Sequence, residues 1–260
     1  MAHSLNIVAV RNTPENENNP AVILGEIIGT TAYEAGSRLR AAGRFPVIVA
    51  VYAEPASADE TAAKLRSAGF RAVVLSHDDI ESDTRRFIVR NFFFDDMQLR
   101  VESREGETIL LDYGLIEIIL RGTYIEQVTE TTIEKGKKLS LGLAVISGGL
   151  VMRKSFEKHH VDTSENREGF LNLYDSMRRI IVLRENALVY SSLGSRLQPT
   201  RTANFAFITA ELKRRCPYAS YDESLLNRLA QSQILGPLFN PAEDADIAIS
   251  LTAKSLRRKQ

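Results

Sequence analysis

The 260-residue sequence has one cysteine, no tryptophan, only eight prolines and no net charge. The single thiol, Cys216, can form neither an internal disulfide nor half of a two-cysteine metal site. That excludes a disulfide scaffold, and a reducing compartment, the cytoplasm, is the expectation. The 33 basic residues are balanced by 33 acidic ones, so no global field draws the chain to nucleic acid or to an anionic membrane, and either partner would need a local patch. Long apolar runs are also missing. The only candidate membrane segment, Leu139 to Met152, has 14 uncharged residues, whereas crossing a hydrocarbon core takes about 20, so no transmembrane segment is expected. Met1 to Val10 lacks the basic start and apolar core of a secretory signal and reads as mature sequence.

What is present is an ordinary globular composition, 44% hydrophobic and 25% charged. Leu5 to Val10 predicts a short strand, followed by a polar connector at Asn12 to Asn19. Asn19-Pro20 suits a helix start, and Leu24, Ile28, Ala35 and Leu39 share one face of a single predicted helix running to about Ala42. Gly25 and Gly29 within it suggest close approach of another backbone. A strand over Ala21 to Ile28 is the alternative.

The clearest unit follows. Pro46 to Tyr52 (PVIVAVY) and Arg71 to Leu75 (RAVVL) read as strands, and Ala58 to Ala68 between them carries helical spacing closed by Gly69. The stretch VIVAVYAEPASADETAAKLRSAGFRAVVL, with Ala62, Leu65, Gly69 and Phe70 in the pattern AxxLxxxGF, resembles small ferredoxin-like domains described as signal-transducing modules. That resemblance covers residues 47–75 and implies a ferredoxin-like β-α-β module and a regulatory role.

From Thr84 closely spaced strands are predicted: Arg86 to Phe94, Gln98 to Ser103, Thr108 to Leu111, and Leu115 to Leu120 (LIEIIL), the last apolar enough to be buried on both faces. A later series covers Phe170 to Tyr174, Arg179 to Leu183 and Ala187 to Ser191. Helices capped by Asn204 and Asp222, and one starting at Pro241, close the chain. The order of elements over 84–215 resembles pleckstrin-homology-like domains, although no signature residues carry that likeness. The expected class is α+β: an N-terminal strand and connector (1–19), a ferredoxin-like α/β module (20–83), an antiparallel β-rich domain of PH-like sandwich or barrel type (84–215) and a C-terminal helical segment (216–260).

Chemistry-bearing patterns are sparse. Ser147 to Ser155 lacks the glycine before lysine that a phosphate loop needs. Metal sites need three or four converging ligands; the candidate polar cluster is His77, Asp78 and Asp79 after the second strand of the β-α-β unit, with His159 (beside His160 and Asp162) as a distant partner. No metal or other cofactor is expected. Cys216 near a helix C-terminus suits a buried filler better than a nucleophile. Arg85, Arg86, Arg90, Phe87, Phe92 and Phe94 alternate basic and aromatic character as nucleic-acid platforms do, and as a half-buried strand does. Lys135, Lys137, Lys138, Arg153 and Lys154 bracket the apolar 139–152 segment and are candidates for contact with an anionic partner or a membrane surface. The expected function is surface recognition of a protein partner without covalent chemistry. The alternatives are an enzyme assembled around His77, Asp78 and His159, and a peripheral membrane binder acting through 135–154.

Overall fold

The computed structural model describes residues 5–12, 14, 19–139 and 153–257, with 126–139 and 153–165 described by their backbone alone. Two compact units emerge: Met1–Tyr124 with Glu168–Gln260, and Ile125–Arg167. The second is built from the distal parts of two long strands, β7 (Ile116–Leu139) and β8 (Arg153–Asp175). Everything below concerns the first. It is α+β in class, with a small three-stranded sheet and a larger, antiparallel-rich one.

The small sheet has the order β2-β1-β3, with β1 (Asn6–Val10) running antiparallel to both β2 (Val47–Tyr52) and β3 (Ala72–Ser76). The β2-α3-β3 segment, with α3 at Pro55–Ser67, is therefore a split β-α-β unit, its two parallel strands separated by β1. Every residue of β1 is buried because both faces of the sheet are covered. Val8 and Val10 pack with Leu24, Ala35, Ala62 and Leu65 of the helices α1 to α3, whereas Ile7 and Ala9 face a second core.

The single helix expected over 20–42 is two. Helix α1 (Pro20–Ile28) ends at Gly29, whose φ of 70° only glycine adopts freely, and α2 (Ala32–Leu39) restarts with a Thr31/Glu34 capping box. Gly25 permits the break, because a Cβ there would lie 2.8 Å from the Thr30 carbonyl oxygen. Asn19 precedes α1 in the left-handed region and makes no side-chain cap.

The seven-stranded sheet has the order β10-β7-β8-β9-β4-β5-β6, with β4 (Phe87–Phe94), β5 (Gln98–Ser103), β6 (Thr108–Asp112), β9 (Ile180–Arg184) and β10 (Ser220–Leu225). Pairs β4/β9 and β7/β10 are parallel. Four strands lie between β6 and β7 in the sheet, yet only Tyr113, Gly114 and Leu115 join them in sequence. Four Cα steps reach at most about 15 Å, whereas five strand spacings in a flat sheet measure about 24 Å. The sheet must curl. Leu99, Val101, Leu111, Leu171 and Ile181 fill the curl beneath helix α4 (Arg201–Arg215), through its Phe205, Ile208 and Leu212.

The outer face of β7 and β8 meets the small sheet across a shared core. Ile118, Leu120, Phe170 and Tyr174 pack with Ile7, Ile48 and Leu75, and with helices α5 (Arg228–Leu235) and α6 (Ala245–Leu256). LIEIIL is accordingly buried on both faces from Ile118 to Leu120, with Ile119 in the core under α4 and Leu115 exposed.

Three further expectations are corrected. Asp222 starts no helix; its side chain accepts hydrogen bonds from Ser224 within β10, because pairing with Ile118 to Leu120 outweighs the local capping signal. Asn204 lies inside α4, whose cap is Thr200, and its amide instead ties Gln198 and Thr200 to the helix start. Residues Tyr190–Arg196 form 3-10 turns where a strand over Ala187 to Ser191 was expected.

Candidate functional site

The connection from β3 to β4 carries the densest polar network among the described residues. Glu81 is buried between β8 and α6: its carboxylate accepts a 2.8 Å hydrogen bond from the Tyr174 hydroxyl, and its backbone N–H donates to Ser250 Oγ at 2.8 Å. Arg86, whose side chain is fully buried, donates to Asp246 Oδ1 at 2.6 Å and lies 3.8 Å from Glu81 and 3.4 Å from Asp83. Arg184 reaches Asp83 at 2.6 Å and stands over the Tyr124 ring.

Burial pushes the Glu81 carboxyl above its ordinary range, against the pull of Tyr174 and Arg86. Burial, reinforced by Glu81, drives the Tyr174 hydroxyl well up. Burial also opposes the Asp83 charge, but Arg184 and Arg86 together hold that carboxyl below its usual value. A raised carboxyl is one mark of a general acid. Here it lines neither cavity described below, and its partners lie on β8, on α6 and at Arg86 just before β4, so the network ties elements together.

Above the network, at the start of β7, opens a cleft of about 630 Å³, lined among others by Glu117, Asp175, Arg178, Tyr218 and Arg257. Four chain segments line it, with 218–220 as the fourth beside the three that follow. The first is the 113–116 turn, whose Leu115 carbonyl accepts a hydrogen bond from Ser176 N–H at 3.0 Å. The second is the β8–β9 turn, locked by the buried Asp175 carboxylate, which accepts from Arg179 N–H at 2.8 Å and Arg179 Nε at 2.6 Å. That lock holds Arg178 at a φ of 64°, the left-handed region. Among the described residues the only other non-glycine there is Asn19, and asparagine tolerates it far better than arginine. The third segment is the end of α6, where the Arg257 guanidinium stacks over the Tyr174 ring at 5.6 Å. Tyr218 stands at the rim, 93% exposed, and Leu115 and Met177, next in sequence to lining residues, are exposed as well.

A second cavity of about 470 Å³ mixes Asp83, Arg86, Arg90, Arg104, Glu105 and Glu107. The basic-aromatic pattern around it is not an open stacking platform. Phe92 is buried edge-on against Phe94 at 5.7 Å, and Arg86 is consumed by the ion network.

His77, Asp78 and Asp79 form one 3-10 turn. Asp79 is occupied: it caps Ser76 and takes Lys254 Nζ at 2.8 Å, and although burial opposes its charge these partners hold its carboxyl down to about 2. Arg85 donates to the Asp78 carbonyl. Among the described residues no three His, Cys, Asp or Glu side chains converge as metal ligands would. Burial pushes the Cys216 thiol up to about 11, despite Arg215, so it is protonated at neutral pH and a poor nucleophile. His159, Lys135, Lys137, Lys138, Arg153 and Lys154 fall on β7 and β8, with side chains outside the described residues, as is the 140–152 segment. No described helix is long and apolar enough to cross a membrane.

Arg178, Arg257 and Tyr218 escaped sequence reasoning. Arg257 reads there as a helix-end cation, and nothing in the pattern around Arg178 or Tyr218 marks a cleft. No family model matches the chain, and no curated protein or solved structure matches it.

Proposed function

We propose that the chain is a non-enzymatic binding protein of regulatory type, working in a reducing cytoplasm, that recognises a protein partner through the cleft between Gly114 and Arg257. The observation that carries this reading is the make-up of the rim. Exposed Tyr218 lines the cleft with two arginines, exposed Met177 and Leu115 are next in sequence to lining residues, and the walls are fixed by backbone and carboxylate hydrogen bonds. Tyrosine, methionine and arginine are the residues that protein interfaces concentrate, and rigid walls reduce the ordering cost of association.

The buried ionisable groups support the same reading. Glu81, Arg86, Tyr174 and Asp246 tie the β3–β4 connection to β8 and α6, which leaves them the task of fixing the cleft floor. The test is a photo-crosslinking amino acid placed at Tyr218 and, as a control, at Leu229, also exposed but outside the cleft lining. Irradiation in cells should give discrete higher-mass protein adducts from position 218 and none from 229. The same adducts from both positions, or none from 218, contradict the assignment.

A further inference from the structure

The described arginines divide into those that a carboxylate holds and those that none does. Arg86, Arg179, Arg184, Arg214 and Arg215 are each held by a carboxylate. No such ion pair is found for Arg178 or Arg257 among the described residues. Arg257 lies with its guanidinium over Tyr174, and stacking of this kind leaves the N–H edges available for a planar acceptor. Arg178 is kept in a backbone conformation that glycine would adopt without strain. Left-handed backbone at a non-glycine cleft residue is a reason to look for a role of its side chain.

Two guanidiniums on one cleft, neither within ion-pair distance of a carboxylate among the described residues, call for carboxylates or phosphates. Glu117 and Asp175 line the same cleft. Asp175 is neutralised by Arg179, but the exposed Glu117 sets a negative charge against a continuous run of phosphates, whereas a peptide can turn a backbone N–H towards it. The sequence continues from Arg257 with Arg258 and Lys259, adding to the positive charge of this stretch of chain. We infer that the cleft selects an acidic segment of its protein partner, with Asp or Glu carboxylates seated on Arg178 and Arg257 and an apolar residue against Tyr218. This rests on the protein-recognition reading above.

The probe is a random dodecapeptide display library selected against the full chain, followed by anisotropy titration of the best peptide. Selection on the wild-type chain should enrich Asp and Glu. Arg178→Gly and Arg257→Gln should each weaken that peptide on the order of tenfold, the scale of one charge-assisted hydrogen-bond pair. Arg104→Gln, in the other cavity, should leave it unchanged, and the Asn/Gln isostere of the peptide should bind at least tenfold more weakly. Selection of neutral or basic peptides, or indifference to both arginine replacements, overturns acidic selectivity; adducts from position 218 would still uphold protein recognition. Tighter binding of a single-stranded oligothymidylate than of any selected peptide overturns it in favour of nucleic acid. Loss of the position-218 adducts removes the underlying reading itself.

Discussion

Replacing Arg86 with Met tests whether the buried network holds the fold together. The guanidinium is fully buried and faces three carboxylates, Glu81, Asp83 and Asp246, of which only Glu81 is itself buried. Removing one partner of a buried ion pair costs about 3–5 kcal/mol. Solvent reaches Asp83 and Asp246 and screens them, so the loss belongs at the lower end, about 3 kcal/mol. With a urea slope of about 2–3 kcal/mol per molar for a unit of this size, the unfolding midpoint should fall by roughly 1–1.5 M at pH 7.5.

The pH dependence adds a sharper test. The Glu81 carboxyl is already raised by burial, and losing Arg86 raises it further. A carboxyl whose folded value lies above its unfolded value contributes stability below the ordinary carboxylate range, and that contribution is lost as pH rises through the folded value. The deficit of the variant should therefore be smaller at pH 5 than at pH 7.5. Adding Glu81→Gln should recover part of it at pH 7.5. A loss below 1 kcal/mol at pH 7.5, or a deficit that grows on acidification, refutes the idea that Arg86 neutralises a buried charge.

Further outcomes follow from single residues. Arg178→Gly removes left-handed strain worth about 1 kcal/mol, so it should raise the melting temperature by about 2–4 °C in calorimetry while weakening the cleft. Ile118→Asp places an unpaired charge in the shared core, where Ile118 is 2% exposed, and should cost several kcal/mol in urea unfolding; an unchanged midpoint would remove β7 from the core. Gly122→Ala drives a Cβ into the Phe170 ring and to 2.8 Å from Leu225 Cβ, and the same unfolding measurement should read a loss of about 1–3 kcal/mol. Asp79, held down to about 2 by Lys254 and Ser76, contributes stability that is present above the ordinary carboxylate value and lost as pH falls towards 2. Asp79→Asn should flatten that part of an acid titration followed by circular dichroism.

Much of the fold was legible where local and long-range demands agree. The β2-α3-β3 segment announces itself through β-branched runs on either side of an alanine-rich helix, and LIEIIL through an apolar run that needs cover on both faces. Errors arose where tertiary pairing overruled a local signal. Asp222 looks like a helix cap until β7 offers a parallel partner, and the helical spacing from Leu24 to Leu39 conceals the break that Gly25 and Gly29 allow. The β6–β7 connection reads as an ordinary turn, and its consequence, the curling of the sheet, depends on a strand order that no local pattern encodes. The cleft was illegible for the same reason. Its residues come from turns more than thirty residues apart, and the strained φ of Arg178 leaves no trace in residue type.

Hydrogen–deuterium exchange of the full chain, with and without the tightest selected peptide, addresses recognition at this cleft most directly. Protection should appear at 113–118, 175–178 and 218–220 and leave the amides around Asp83 to Glu107 unchanged. Protection centred on the second cavity, or none at those segments at saturating peptide, would contradict the account.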